Sequence, residues 1–247
     1  MGIRPWRRIL GWGALALLAI AALLFGLNAL SKSPCFQLAG ALTCRVETDR
    51  RIVALTFDDG PTPQGVDAVL PILDQYGAKA TFFLIGRDME RHPQAARRIL
   101  SAGHELGNHT FSHERNIGRS REFYRSEIER TDRLLRAAGA DSTLFRPPYG
   151  RKLLGLPLEA ERAGLHTVTW DVEDRAGQFP EPAAYAKDIL DRVRPGSIIL
   201  IHPMYRDNDT ARAALPLILA QLRKRGYEIV TVSELLNHTP SGPGQER

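Results

Sequence analysis

The 247-residue chain is 43% hydrophobic and 25% charged, which excludes a disordered polymer and leaves room for one large domain with its own core. Its formal charge of +5 invites a nucleic-acid reading, but Arg4, Arg7 and Arg8, crowded ahead of an apolar segment, supply three of those charges. The remainder is ordinary, so nucleic acid is not an expected partner.

Residues 9–30 carry no charge. As a helix they would reach about 33 Å, enough to cross the hydrocarbon core of a bilayer. The stretch is long for a cleaved leader, so an uncleaved anchor is favoured, with a signal peptide as the alternative; Ala29 and Ser31 offer a weak cleavage pattern. The basic stub places the N-terminus in the cytoplasm, which puts everything from about residue 32 on the extracytoplasmic side of the inner membrane. Trp6 and Trp12 then belong at the interface or against lipid. Cys35 and Cys44, the only cysteines, follow the span closely, and in an oxidising compartment they are expected to form a local disulfide in a stem. The expected division is a stub and anchor over 1–31, a stem over 32–50, a catalytic domain over 51–236 and a flexible tail over 237–247.

Beyond the stem, short apolar runs alternate with amphipathic stretches. Strands are predicted over 52–57, 80–85, 104–108, 143–146, 166–170, 197–201 and 228–232. Helices are predicted near 64–76, 93–102, 119–138, 152–163, 182–193 and 210–225. This βα alternation argues for an α/β fold with a parallel sheet and helices outside it. With about seven strands and no dinucleotide-type glycine motif, a distorted, incomplete (β/α) barrel preceded by a transmembrane helix is expected. Barrels of this kind gather reactive groups at the C-terminal ends of their strands. Asp58 and Asp59, His109 and His113, Arg146, Asp171 and Asp174, and His202 all follow predicted strands and are expected on one rim.

The chemistry of those residues is specific. Two adjacent carboxylates at a strand end repel, and such a pair is relieved by a shared cation or by protonating one member. His109 and His113, four apart, bring two imidazoles together. Two histidines and one carboxylate, with a position left open, form a catalytic metal set able to hold zinc.

Thr56-Phe57-Asp58-Asp59-Gly60-Pro61, His109-Thr110-Phe111-Ser112-His113, Arg146-Pro147-Pro148-Tyr149-Gly150, Asp171-Val172-Glu173-Asp174 and Leu200-Ile201-His202 resemble, in order and spacing, the five motifs of the polysaccharide deacetylases, the NodB-homology domain of carbohydrate esterase family 4. The resemblance covers about residues 51–236. It implies a distorted (β/α) barrel that removes N-acetyl groups from amino sugars with a divalent metal ion, zinc foremost, cobalt or another divalent ion being alternatives. It implies Asp59, His109 and His113 as metal ligands, Asp58 as general base and Arg146 as the residue that keeps that base ionised. His202 would be the general acid for the departing amine, with Asp174 as its partner. The Tyr149 backbone N–H would meet the oxyanion, and Leu200 would wall the pocket of the acetyl methyl.

One departure stands out. The fourth motif of the family commonly continues with Trp, but here Arg175 follows Asp174. A guanidinium favours carboxylate or phosphate over a stacking sugar face, so an anionic substrate such as peptidoglycan or a phosphate-linked lipid sugar is expected. The expected partners are thus an N-acetylated glycan or lipid-linked amino sugar and, through residues 9–30, a membrane; no protein partner is implied. A deformylase of a lipid-linked sugar or an O-acetyl esterase of the same fold is the alternative activity, and a tethered, non-catalytic glycan-binding module a further one. His92, His104, His166 and His238 are assigned no chemistry.

Overall fold

The computed structural model describes residues 5–152, 154–175 and 177–238. The stub before Pro5 and the tail from Thr239 lie outside them, as do the side chains of residues 5–11 and with them Trp6. Helix α1, Pro5–Lys32, contains the apolar stretch. Nine strands follow: β1 Leu42–Thr43, β2 Ile52–Asp58, β3 Thr81–Leu84, β4 Glu105–Asn108, β5 Leu144–Phe145, β6 His166–Val168, β7 Val172–Glu173, β8 Ile198–Ile201 and β9 Glu228–Val230. Between them run α2 Pro63–Gln75, α3 Gly86–Arg91, α4 Pro93–Ser101, α5 Arg121–Ala138, α6 Gly155–Arg162, α7 Pro182–Arg192, α8 Asp209–Lys224 and α9 Val232–Leu236. Local chemistry sets several of the ends. Thr62 accepts the Gly65 N–H ahead of Pro63 and starts α2, Ser120 caps α5, and Gly139, left-handed at φ 100°, ends α5.

Every strand pairing is parallel, in the order β1-β6-β5-β4-β3-β2-β8-β7, with β9 alongside the start of β2. Strand alternation sorts the core into two layers. Val53, Leu55, Phe57, Phe82, Leu84, Ile199 and Ile201 face outward into the layer shared with α2, α4, α7 and α8. Ile52, Ala54, Phe83, Leu144, Val168, Trp170, Ile198 and Leu200 form the barrel interior. By the same alternation Thr56, Asp58 and Arg146 belong to the inner set, which brings them up beneath the C-terminal rim.

The predicted strand over 166–170 divides in two. β6 pairs with β5, the backbone turns through residues 169–171, and β7 resumes beside β8. The cause is a set of long-range hydrogen bonds. Arg146 draws on the carbonyls of Val168 and Thr169, and the Asp171 carboxylate accepts from the Ile198 N–H at 2.9 Å and the Ser197 hydroxyl at 3.0 Å. Asp171 therefore fastens the beginning of β8 and does not stand on the rim, contrary to the expectation from sequence. β1 fills the slot beside β6 that the division opens, and Val46 donates to the Gly196 carbonyl nearby. The stem is thus part of the sheet edge, and Cys35 and Cys44 are disulfide-bonded within it. Three further differences are local: α3 and α9 were not anticipated, and the helix expected from residue 152 begins at Gly155.

In the barrel interior Gly107 on β4 packs against the Phe83 ring. A Cβ added there would lie 2.6 Å from the ring. Gly107→Ala is expected to destabilise the protein by about 1–3 kcal/mol through overpacking, measured by chemical unfolding in detergent; an unchanged midpoint would show that the ring can move aside.

Candidate active site

The site is built around Arg146, which follows β5 and is fully buried. Its Nη1 donates to Asp58 Oδ1 at 2.7 Å and to Thr56 Oγ1 at 2.8 Å, while Nε and Nη2 donate to the carbonyls of Val168 and Thr169. The guanidinium lies 4.0 Å from the centre of the Phe83 ring and 5.5 Å from that of Trp170, so the apolar interior supports it as well. Its main chain serves the site too: the carbonyl accepts the Nδ1–H of His109 at 2.8 Å. Since a carbonyl can only accept, Nδ1 carries the hydrogen, and Nε2 is the ring nitrogen turned toward the aspartates, 3.6 Å from Asp58 Oδ2 and 3.8 Å from Asp59 Oδ1.

Asp59, His109 and His113 each present one ligand atom, and these lie within 4.8 Å of one another. His113 Nε2 is 3.4 Å and His109 Nε2 3.8 Å from Asp59 Oδ1. That oxygen is buried without a hydrogen-bond donor. Burial raises the Asp59 pKa, partly opposed by His109 and His202 and reinforced by Asp58. The His113 pKa is lowered to about 3, first by burial and then by His109, so His113 is a neutral imidazole around pH 7. A buried carboxylate oxygen lacking a donor, beside two imidazole nitrogens, suits a divalent cation with one position left open.

On the other side of the aspartates, His202 follows β8 and donates from Nδ1 to Asp174 Oδ1 at 3.1 Å, while its backbone N–H reaches Oδ2 at 3.0 Å. Tyr185 on α7 donates to the same carboxylate at 2.8 Å. Burial alone would lower the His202 pKa, but the Asp174 hydrogen bond and the Asp174, Asp58 and Asp59 charges outweigh it and push it up to about 9. Burial likewise opposes ionisation of Asp174, and the His202 and Tyr185 hydrogen bonds offset that and hold its carboxyl below the usual range.

Backbone geometry singles out the same place. Among the described residues, the non-glycine positions with positive φ are Asp59 (76°), Thr110 (64°), His113 (56°) and Tyr149 (57°). Such conformations cost on the order of 1–3 kcal/mol each and need surrounding structure to hold them. For the histidine loop that structure is Glu127 and Asn108. Glu127, buried on α5, accepts the N–H groups of Phe111 and Ser112 and the Ser112 hydroxyl. Asn108 accepts the Thr110 N–H and donates to α5. Neither was anticipated from sequence, where a Glu inside an amphipathic helix reads as a solvated face.

The remaining expected residues divide. Tyr149, in the 3-10 turn Pro148–Gly150, stacks its exposed ring 4.7 Å from that of His113, joining the cluster. Leu200 is buried in the barrel interior with Phe83 and Trp170. Arg175 stands apart, its guanidinium 3.6 Å from Asp188 on α7. His104 accepts the Ala80 N–H, and His166 pairs with Thr43 in the stem, in keeping with structural roles.

Comparison with known proteins points to one family. The polysaccharide deacetylase family matches residues 45–168. The chain is similar to a peptidoglycan-N-acetylglucosamine deacetylase of Bacillus cereus, 36% identical over 201 residues that cover 81% of this chain and 94% of that protein. It is also similar to a chitooligosaccharide deacetylase of Azorhizobium caulinodans, 32% identical over 198 residues, 75% and 94% of the two chains. Among solved structures, a family 4 carbohydrate esterase pseudoenzyme from Bacillus anthracis superposes with a TM-score of 0.75 at 28% identity, covering 81% of this chain and 70% of that one. A fold shared with a pseudoenzyme leaves the individual side chains to decide activity.

Replacing Arg146 with Met should leave Asp58 buried without its partner and destabilise the protein by about 3–5 kcal/mol, read by chemical unfolding. A loss no larger than that of a surface substitution would show that Asp58 does not depend on it.

Proposed function

The chain belongs to the polysaccharide deacetylase family, and from that premise we propose that it is a metal-dependent hydrolase removing N-acetyl groups from an amino sugar of a cell-envelope glycan, such as peptidoglycan or a chitin-like oligosaccharide. The observation that carries this reading is the pair of carboxylates: Asp58 is held by Arg146 through Oδ1, with Oδ2 3.6 Å from His109 Nε2, while Asp59 turns its donor-free oxygen toward both His109 and His113. Asp59, His109 and His113 would hold the ion, zinc foremost. When bound there, it supplies a Lewis acid that polarises the acetyl carbonyl and makes water more acidic.

The residues of the chain supply the rest. Asp58, held in place by the guanidinium, accepts the proton of the attacking water. The Tyr149 N–H points its dipole at the oxygen on which negative charge develops. Leu200, with Trp170 near it, offers the acetyl methyl an apolar wall. An amine departs poorly unless protonated, and His202, held cationic by Asp174, delivers that proton. Arg175 would have to leave Asp188 to meet an anionic substrate.

The chain is proposed to stay in the cytoplasmic membrane with its catalytic domain on the extracytoplasmic side. Trp12–Lys32, 21 residues of mean hydropathy 2.2 with none of its apolar window buried, supports the anchor, and the Cys35–Cys44 bond fits an oxidising compartment.

Full-length protein in detergent, stripped of metal and resupplied with zinc or cobalt, should release acetate from peptidoglycan or chito-oligosaccharides; release without any metal would overturn the mechanism. Asp58→Asn should lower kcat by about 10²–10⁴ without abolishing zinc binding by calorimetry. Because His202 must carry a proton, activity should fall as pH rises through about 9. Asp174→Asn removes a feature that raises this pKa, so the alkaline fall should move to lower pH.

A further inference from the structure

The end of α1 is bonded directly to the rim. Arg151, two positions past Tyr149, donates from Nη1 to Asn28 Oδ1 at 2.7 Å and to Ser31 Oγ at 3.3 Å. Lys152, buried, donates from Nζ to the Ser33 carbonyl at 2.6 Å and to the Gly150 carbonyl at 3.1 Å. The Thr169 hydroxyl adds a bond to the Pro34 carbonyl. The domain therefore does not hang from a flexible tether. Since Asn28 lies inside the apolar span, about 6 Å below Lys32 along the helix axis, the Arg151 head reaches to or below the level at which α1 leaves hydrocarbon.

What surrounds that exit is apolar and basic. Ile117 is 58% and Leu154 52% exposed, and both line, with Ser31, Arg151 and Lys152, an open cavity of about 210 Å³. Arg115, exposed beside them, places its guanidinium 5.7 Å from the Tyr149 ring. Walls shared with Ser31 fall within the depth of one headgroup layer, about 5–8 Å. At that depth an exposed Ile or Leu is stabilised, and a guanidinium finds lipid phosphate.

We propose that the face carrying Ile117 and Leu154 seats on the outer headgroup layer of an anionic phospholipid membrane and holds the rim at its surface, so that an N-acetylated amino sugar attached to a membrane lipid is presented to the site as a substrate. The inference rests on the hydrolase reading for its substrate and on α1 as an anchor for its geometry. It places the enzyme after the reaction class that transfers an N-acetylated amino sugar to a lipid phosphate, and before any that removes the sugar from that lipid.

The test uses the full chain in nanodiscs of mixed zwitterionic and anionic phospholipid. Photoactivatable lipids should cross-link to peptides containing Ile117 and Leu154 as well as to α1; labelling confined to α1, or cross-links from this face to a second copy, overturns the seating. The Ile117→Asp, Leu154→Asp double variant should lose about tenfold or more of its activity on N-acetylglucosamine linked by phosphate to a polyprenol in the same disc, yet keep its activity on soluble chitotetraose. Equal loss on both, or loss on neither, overturns the proposal. If wild-type protein labels at the face but deacetylates neither probe, the hydrolase reading fails while the seating stands.

Discussion

The buried pair of Arg146 and Asp58 is the constraint on which the site depends. A guanidinium with no exposed surface is tolerated only when its donors are engaged, and here they reach a carboxylate, a hydroxyl and two carbonyls. Those partners come from β2, β6 and the turn after it, so one side chain draws three parts of the barrel together. Its own carbonyl then orients His109. The side chain thus governs the base while the main chain governs a metal-facing imidazole. Phe83 beneath the guanidinium and Gly107 beneath Phe83 extend the dependence to the packing of β3 and β4.

Much of this was legible in the sequence because it follows from local pattern. The run Ile52 to Phe57 is fully buried, as a short β-branched stretch between turn residues should be, and the acids at its end lie on the rim. What was not legible depends on partners far away in the chain. Asp171 stands only three residues before Asp174, yet one fastens the beginning of β8 and the other holds His202 at its end. β7, only Val172 and Glu173, runs between them beside β8, so the two carboxylates meet opposite ends of β8. Glu127 and Asn108 escaped notice for a related reason: a carboxylate receiving two backbone N–H groups leaves no periodic signature. Arg175, whose charge was read toward a substrate, also has a partner that sequence does not reveal, Asp188 of the same chain at 3.6 Å.

The four left-handed residues show where local preference yields to the site. Asp59, Thr110, His113 and Tyr149 adopt backbone angles that side chains disfavour, and each stands in or beside the cluster. Elsewhere among the described residues positive φ is left to glycine. Caps, turns and apolar alternation agree with the fold over most of the chain, so strain is concentrated at the rim, where Glu127, Asn108 and the Pro147-Pro148 turn hold it in place.

Lys152, clasped between the Ser33 and Gly150 carbonyls, gives the rim a fixed height above whatever α1 is embedded in. On the proposed seating, encounter with a lipid-linked substrate becomes a two-dimensional problem. Its rate is set by lateral diffusion and by the number of substrate molecules per unit area, not by their concentration in the surrounding volume. On the same seating, of the strands of an envelope glycan only those within the rim's height of the bilayer would meet it.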